Sequence, residues 1–181
     1  LDVFAFLGAS QIELSLVSTP DVDRIGDLAG KTIAMDALAT GFAFVAYHLL
    51  EAGGVPAEAV ELVGVGATPQ RFESVRAGTH AATLCIEPFT TMARVAGLNV
   101  LATSTEAFTN YQGGVFATRR TYAQSNAASV RSFAAAYLDA LDWVLTPDTR
   151  GACAQLLQRH LPALKDEAVV RVLANTLSPR T

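Results

Sequence analysis

Basic charge is scarce in this chain. Lysine and arginine number 13 against 17 acidic residues, and the nearest thing to a basic cluster is the pair Arg119-Arg120. A nucleic-acid partner needs a concentrated basic surface, so that class is excluded. Long apolar runs are missing as well, although 51% of the residues are hydrophobic; no stretch reaches the length of a membrane-spanning helix. Cysteine is limited to Cys85 and Cys153, which lie in no metal or redox spacing. One falls in an apolar strand pattern and the other in a helical one, so both read as buried thiols. The three histidines, His48, His80 and His160, share no HxxxH or HxH spacing, which argues against a metal centre. There is no GxSxG elbow and no GKS/T phosphate loop, and Gly64-Val65-Gly66 lacks the third glycine of GxGxxG. The chain opens on Leu1-Asp2, with neither an initiator methionine nor a basic segment leading into an apolar one. We read it as a fragment or a processed form.

What is present is a regular alternation. A chain of 181 residues suffices for one large domain or two small lobes. Strand patterns at Thr32–Met35, Glu61–Val65, Ala82–Ile86 and Asn99–Ala102 are separated by helical patterns at Gly41–Ala52, Gln70–Ala77 and Thr90–Ala96. Short β-rich runs alternating with helices imply right-handed βαβ units, and mostly apolar strands imply a parallel sheet covered on both faces. The central unit is Asp27–Gly54, in which a buried strand enters a helix closed by Gly53-Gly54. Before this unit, Ile12–Val17 reads as a strand broken at Ser18-Thr19-Pro20-Asp21. Beyond Thr103 the texture changes. Val115–Thr118 reads as a strand, and Val130, Phe133, Ala134, Tyr137, Leu138, Leu141 and Val144 form a core-facing helical stripe with Asn126 as its N-cap. Thr146-Pro147 opens the next helix, and Asp166–Leu177 is an amphipathic helix through Val169, Val170, Leu173 and Leu177. Residues 23–103 thus form a complete α/β unit. The flanks, 1–22 and 104–181, are expected to pack together, with Ile12–Val17 and Val115–Thr118 in one shared sheet.

Ligands of open α/β sheets bind where the carboxyl ends of strands enter helices. Three such junctions occur, at Ala37–Phe42, Gly66–Arg71 and Glu87–Thr90. They offer threonine hydroxyls, helix N-terminal amides, an aromatic ring, a guanidinium and a carboxylate, a set suited to a small polar or anionic molecule with an apolar part. Each part also has an ordinary reading. The Thr40-Gly41 loop can be a plain βα turn, Arg71 a solvated first-turn arginine, and Glu87 an exposed acid favoured by the helix dipole. Phe42 reads as the exposed aromatic, and Phe44 and Tyr47 as core.

Taken in order, these motifs resemble the substrate-binding proteins of nitrate/sulfonate/taurine-type ABC importers, related to the thiamine-pyrimidine-precursor-binding family. The matching stretches are Asp27-Leu28-Ala29-Gly30-Lys31, Asp36 with Thr40-Gly41-Phe42-Ala43-Phe44, VGATPQRFESVRAG at Val65–Gly78, Glu87-Pro88-Phe89, YQGGVFATRR at Tyr111–Arg120, and ALDWVLTPDTR at Ala140–Arg150. A departure is Ala81, where relatives carry an aspartate. The resemblance implies an α/β fold of the periplasmic-binding-protein type II kind. It has two lobes of parallel or mixed sheet flanked by helices, the first lobe (1–22 and 104–181) incomplete at its amino-terminal end and the second (23–103) complete. It further implies a solute-binding component that works with an ABC transporter permease in the periplasm, or outside the cell on a membrane anchor, without cofactor, metal or turnover. The implied ligand face is Thr40, Gly41, Phe42, Thr68, Gln70, Arg71 and Glu87, with Tyr111 and Gln112 near the hinge. Either a dimer through the open edge of the incomplete lobe or a partly disordered amino-terminal segment is expected. The alternatives are an enzyme on the same fold, akin to a pyrimidine-precursor synthase, and a ligand-sensing domain detached from a regulator.

Overall fold

The computed structural model describes residues 2–109 and 111–161 together with Glu167 and Val170. The expected helix Asp166–Leu177 lies outside the described residues. The chain divides into two compact units, one made of Leu1–Ser10 and Gln112–Thr181, the other of Gln11–Tyr111. The boundaries drawn from sequence texture, after Val22 and after Thr103, fall instead after Ser10 and after Tyr111.

The contiguous unit is built on a five-stranded sheet. Its strands are β2 (Ser15–Ser18), β3 (Thr32–Met35), β4 (Glu61–Gly64), β5 (Ala82–Cys85) and β6 (Asn99–Thr103), in the order β4-β3-β5-β2-β6. β3 pairs in parallel with β4 and β5, whereas β2 pairs antiparallel with both β5 and β6. The sheet is therefore mixed, and the expected pairing of Ile12–Val17 with Val115–Thr118 is corrected. The physical reason is burial. All four β2 residues are buried, so the strand belongs inside a sheet covered on both faces. Alternation then sorts the sheet into two faces. Leu16, Ile33, Met35 and Leu84 join one apolar cluster with Ala43, Ala46 and Leu50 of helix α1 (Gly41–Ala52). Val17 and Cys85 join the other, with Phe72 and Val75 of α2 (Thr68–Arg76) and Ala93 of α3 (Phe89–Val95).

Helix α1 starts and stops where capping chemistry demands. Thr40 has extended backbone and its Oγ1 accepts from Ala43 N–H at 3.2 Å, which satisfies one orphan donor of the first turn. Gly54, at φ +80°, lets the chain turn away in a region that side chains rarely adopt. The short helix α4 (Ser104–Ala107) is held by a capping box between Thr103 and Glu106, and Leu14 N–H donates to Ser104 Oγ at 2.9 Å.

The other unit pairs β1 (Val3–Ser10) with β7 (Gly114–Arg119) in an antiparallel two-stranded sheet. Helices α5 (Arg120–Ser125), α6 (Ala127–Leu145) and α7 (Arg150–His160) follow. Phe116 makes edge contacts with Phe133 and Tyr137, at 4.9 and 4.8 Å between centroids, and the Tyr137 hydroxyl donates to Ala9 O. The apolar stripe of α6 is only partly used. Phe133, Leu138 and Leu141 are 47%, 50% and 38% exposed, so the expectation of a core-facing stripe is corrected. A two-stranded sheet has too little face to cover a helix of this length. Asn126 occupies the N-cap position of α6 without capping it, because its side-chain amide donates to Tyr122 O at 3.1 Å.

One packing contact is a sharp test of this core. A Cβ on Gly53 would come within 2.4 Å of Ile25 Cγ2 and 2.6 Å of its Cβ. Gly53→Ala is expected to cost about 1–3 kcal/mol, the usual penalty of overpacking. Combined with Ile25→Ala, the two losses are expected to add to less than their sum in urea unfolding.

Candidate functional site

The carboxyl ends of β3, β4 and β5 point the same way, since the three strands are parallel. Helices α1, α2 and α3 follow those strands, which gathers three strand-to-helix junctions at one end of the sheet. Asp36 directly follows β3. Its Oδ1 accepts from Thr40 Oγ1 at 2.9 Å, and that hydroxyl in turn accepts from Ala43 N–H. The carboxylate thereby orients the cap of α1.

Arg71 is the unexpected residue. It sits in the first turn of α2, yet is only 1% exposed, so the reading of it as solvated is overturned. Nη2 donates to Thr68 Oγ1 at 2.9 Å, and the guanidinium carbon lies 5.5 Å from the centroid of the half-buried Phe42 ring. The remaining donor atoms, Nε and Nη1, are buried and have no partner among the described residues. Native interiors pair almost every buried polar group, because an unpaired one forfeits its hydration. Burial pulls the pKa of this guanidinium down, and the negative field of Asp36 holds it up.

Further unpaired atoms lie at the same end of the sheet. Thr90 Oγ1, in the first turn of α3, and Ser15 Oγ, on β2 directly across from Cys85, are both buried without a partner among the described residues. The Cys85 thiol is pushed up to about 12 by burial, against the pull of Arg71. It therefore stays protonated at neutral pH, and a protonated buried thiol is inert. Glu87 is half-buried and its Oε2 accepts from Thr91 N–H at 3.2 Å.

Of the residues expected at the ligand face, the structure brings Thr40, Phe42, Thr68 and Arg71 together, with Glu87 on the neighbouring strand end. Gly41 is exposed, with open space where a side chain would stand. Gln70 is exposed on the first turn of α2. Tyr111 belongs to the same unit and stacks on Phe108 at 5.8 Å, Phe108 in turn lying 4.5 Å from His48. Gln112 belongs to the other unit, where its amide donates to Ser10 O and Gly114 O. Phe44, expected in the core, is 66% exposed. Asp36 and Ser15 were not foreseen as site residues, and Thr90 was foreseen only as part of the Glu87–Thr90 junction. Two open cavities lie elsewhere. One of about 340 Å³ runs along the outer edge of β6 between Arg94 and Glu106, and one of about 260 Å³ lies between Phe6, Phe116, Tyr122 and Phe133. Neither touches Arg71. We place the candidate site at Arg71 because unpaired buried donors call for an acceptor, and a groove does not.

No group of histidine, cysteine and carboxylate among the described residues is arranged to hold a metal ion. Residues 6–149 match the family model described as NMT1/THI5 like. The chain belongs to that family. No match is found among curated proteins. Among solved structures, the alkanesulfonate-binding protein SsuA of Xanthomonas axonopodis pv. citri, bound to MOPS, superposes with a TM-score of 0.77 at 20% identity, over 97% of this chain and 60% of that one. The periplasmic nitrate-binding protein NrtA of Synechocystis PCC 6803 gives a TM-score of 0.77 at 13% identity, over 96% and 48%. A mutant of DSZB in complex with biphenyl-2-sulfinic acid gives 0.65 at 16% identity, over 99% and 65%. The fold is thus the α/β fold of periplasmic binding proteins, and this NMT1/THI5-like chain spans about 60% of the length of the first of them.

If Arg71 serves a ligand rather than the fold, it is a burden to the ligand-free protein. Arg71→Met keeps an unbranched apolar stem and removes the unpaired donors. It is expected to leave the unfolding free energy unchanged or raise it by about 1–3 kcal/mol in denaturant titration. A loss of stability would mark the guanidinium as structural.

Proposed function

We propose that this NMT1/THI5-like protein is a solute-binding component of an ABC importer. It takes up a small polar or anionic organic molecule and presents it to a membrane permease, in the periplasm or on the outer side of the cell membrane. The observation that carries this reading is the buried guanidinium of Arg71 with two unpaired donor atoms, set where the first turns of α1 and α2 meet. The carboxyl end of a parallel sheet is where α/β proteins bind ligands. The first turns of α1 and α2 add free N–H groups to the same place. In this reading Thr40, Phe42, Thr68 and Arg71 contact the ligand, and Glu87 and Tyr111 flank it. The alkanesulfonate-binding and nitrate-binding proteins that share the fold support an anionic ligand, since the ligands in their names are anions.

The structural likeness to DSZB raises an enzyme as the second reading. Catalysis at this place would need an activated nucleophile or a proton carrier, and the two carboxylates here, Asp36 and Glu87, are each engaged by a hydrogen bond from their own helix start. Cys85 is held as a thiol by burial, and His80 lies just before β5, at the amino end of that strand and away from Arg71. Binding without turnover is therefore the reading the local chemistry favours.

Isothermal titration with a panel of small carboxylates, sulfonates and uncharged aromatics tests it. At least one compound is expected to bind without being consumed, and Arg71→Met is expected to weaken that binding by about 10- to 150-fold, the worth of a hydrogen bond from a charged donor. Turnover of the bound compound, or binding indifferent to Arg71→Met, would overturn the proposal.

A further inference from the structure

The charges around Arg71 say more about the ligand than the guanidinium does alone. Asp36 is the first residue after β3 and Glu87 the second after β5, and these strands are parallel neighbours in the register Ile33↔Ala82 and Ala34↔Thr83. Both carboxylates therefore lie at the Arg71 end of the sheet. Each is tethered by a hydrogen bond from its own helix start: Thr40 Oγ1 donates to Asp36, and Thr91 N–H donates to Glu87. Meanwhile Nε and Nη1 of Arg71 find no acceptor among the described residues. The result is an unusual division of labour. Asp36 already acts on the positive charge through space, while two of the donor atoms of the same group are unspent.

With Cys85 neutral, the cluster holds one cation and two carboxylates among the described residues. A ligand with one oxyanion can accept from Arg71 and add a single negative charge. A second oxyanion on the same skeleton has no cation left to meet, and it lies close to Asp36 or Glu87 in a partly desolvated place, where like charges repel far more strongly than in water.

We propose that Asp36, supported by Glu87, is a charge filter: the site accepts a ligand carrying one anionic group and turns away the dianion of the same skeleton. This rests on the reading that Arg71 meets the ligand. The class admitted is a small organic monocarboxylate or monosulfonate, or a zwitterion whose cationic centre faces the two carboxylates. Phe42 supplies an apolar surface beside the anionic head. Asp36 is a positioning residue in this scheme, acting on the ligand through the field and through the orientation of the α1 cap.

Three probes on one skeleton test the filter: benzoate, terephthalate and 4-(aminomethyl)benzoate, titrated calorimetrically into the whole chain. Benzoate is expected to bind about tenfold or more tightly than terephthalate, and 4-(aminomethyl)benzoate at least as tightly as benzoate. Asp36→Asn keeps an acceptor for Thr40, so α1 stays capped, and is expected to shrink the benzoate-to-terephthalate ratio to about threefold or less. Glu87→Gln keeps an acceptor for Thr91 N–H and is expected to shrink it in the same direction. A structural role for either carboxylate would weaken all three probes together and leave their ratio alone. Terephthalate binding as tightly as benzoate, a ratio unchanged in both variants, or no binding by any of the three would overturn the filter. Benzamide and benzyl alcohol separate this failure from that of the proposed function. If these uncharged probes bind and depend on Arg71, solute binding stands and only the filter falls. If nothing in the wider panel binds, both fall.

Discussion

The five-stranded sheet depends on β2 being buried. A strand whose four residues are all inaccessible has both edges paired and both faces covered. Only an interior position in a sheet flanked by helices offers that. Running antiparallel between β5 and β6, β2 aligns those two strands with each other, and β5 in turn carries β3 and β4. The shared direction of β3, β4 and β5, and with it the gathering of three helix starts at one end, comes from the helical crossovers that join them. Serine at two of the four β2 positions is compatible with burial, because Ser18 donates to Val22 O. Ser15 Oγ has no partner among the described residues, at the end of the strand that faces the candidate site.

At the candidate site the pairing of buried polar groups is relaxed. Most of the unit obeys the rule that buried polar groups are paired. Thr83 Oγ1 donates to Ala34 O and Leu14 N–H donates to Ser104 Oγ. The unpaired side-chain atoms concentrate on Arg71, Thr90 and Ser15, with His80 Nδ1 as the exception at the far end of β5. Such a concentration is what preorganisation costs: donors are held dry and oriented in advance, so a ligand that matches them loses little by binding.

Much of the contiguous unit was legible in the sequence, for local reasons. β3 and α1 fall at Thr32–Met35 and Gly41–Ala52 as read, because the apolar run, the Thr40 cap and the Gly53-Gly54 stop all agree. The position of β2 was not legible. Pairing partners are chosen by burial over the whole sheet, and Ile12–Val17 carries no local sign of which strands it joins. The exposure of Phe44 could have been foreseen. It lies four residues before His48 and seven before Glu51, on the polar side of an otherwise apolar helix. Arg71 also left a trace, four residues before Val75 on the buried face of α2. A charged residue at such a position reads as an exception to be discounted, and its burial emerges only once Phe42 and the end of β5 are in place.

The division of the chain at Ser10 and Tyr111 has a consequence for the order of assembly. The pairing of Ser10 with Gly114 closes a loop that contains the whole contiguous unit. For a flexible loop of roughly 100 residues, closure costs about 4 kcal/mol of chain entropy, and a two-stranded ribbon alone is too weak to repay it. Once Gln11–Tyr111 has folded, its two ends are fixed in space and most of that entropy is already lost. The β1–β7 ribbon is then a late event, closed between two ends that the folded inserted unit already holds.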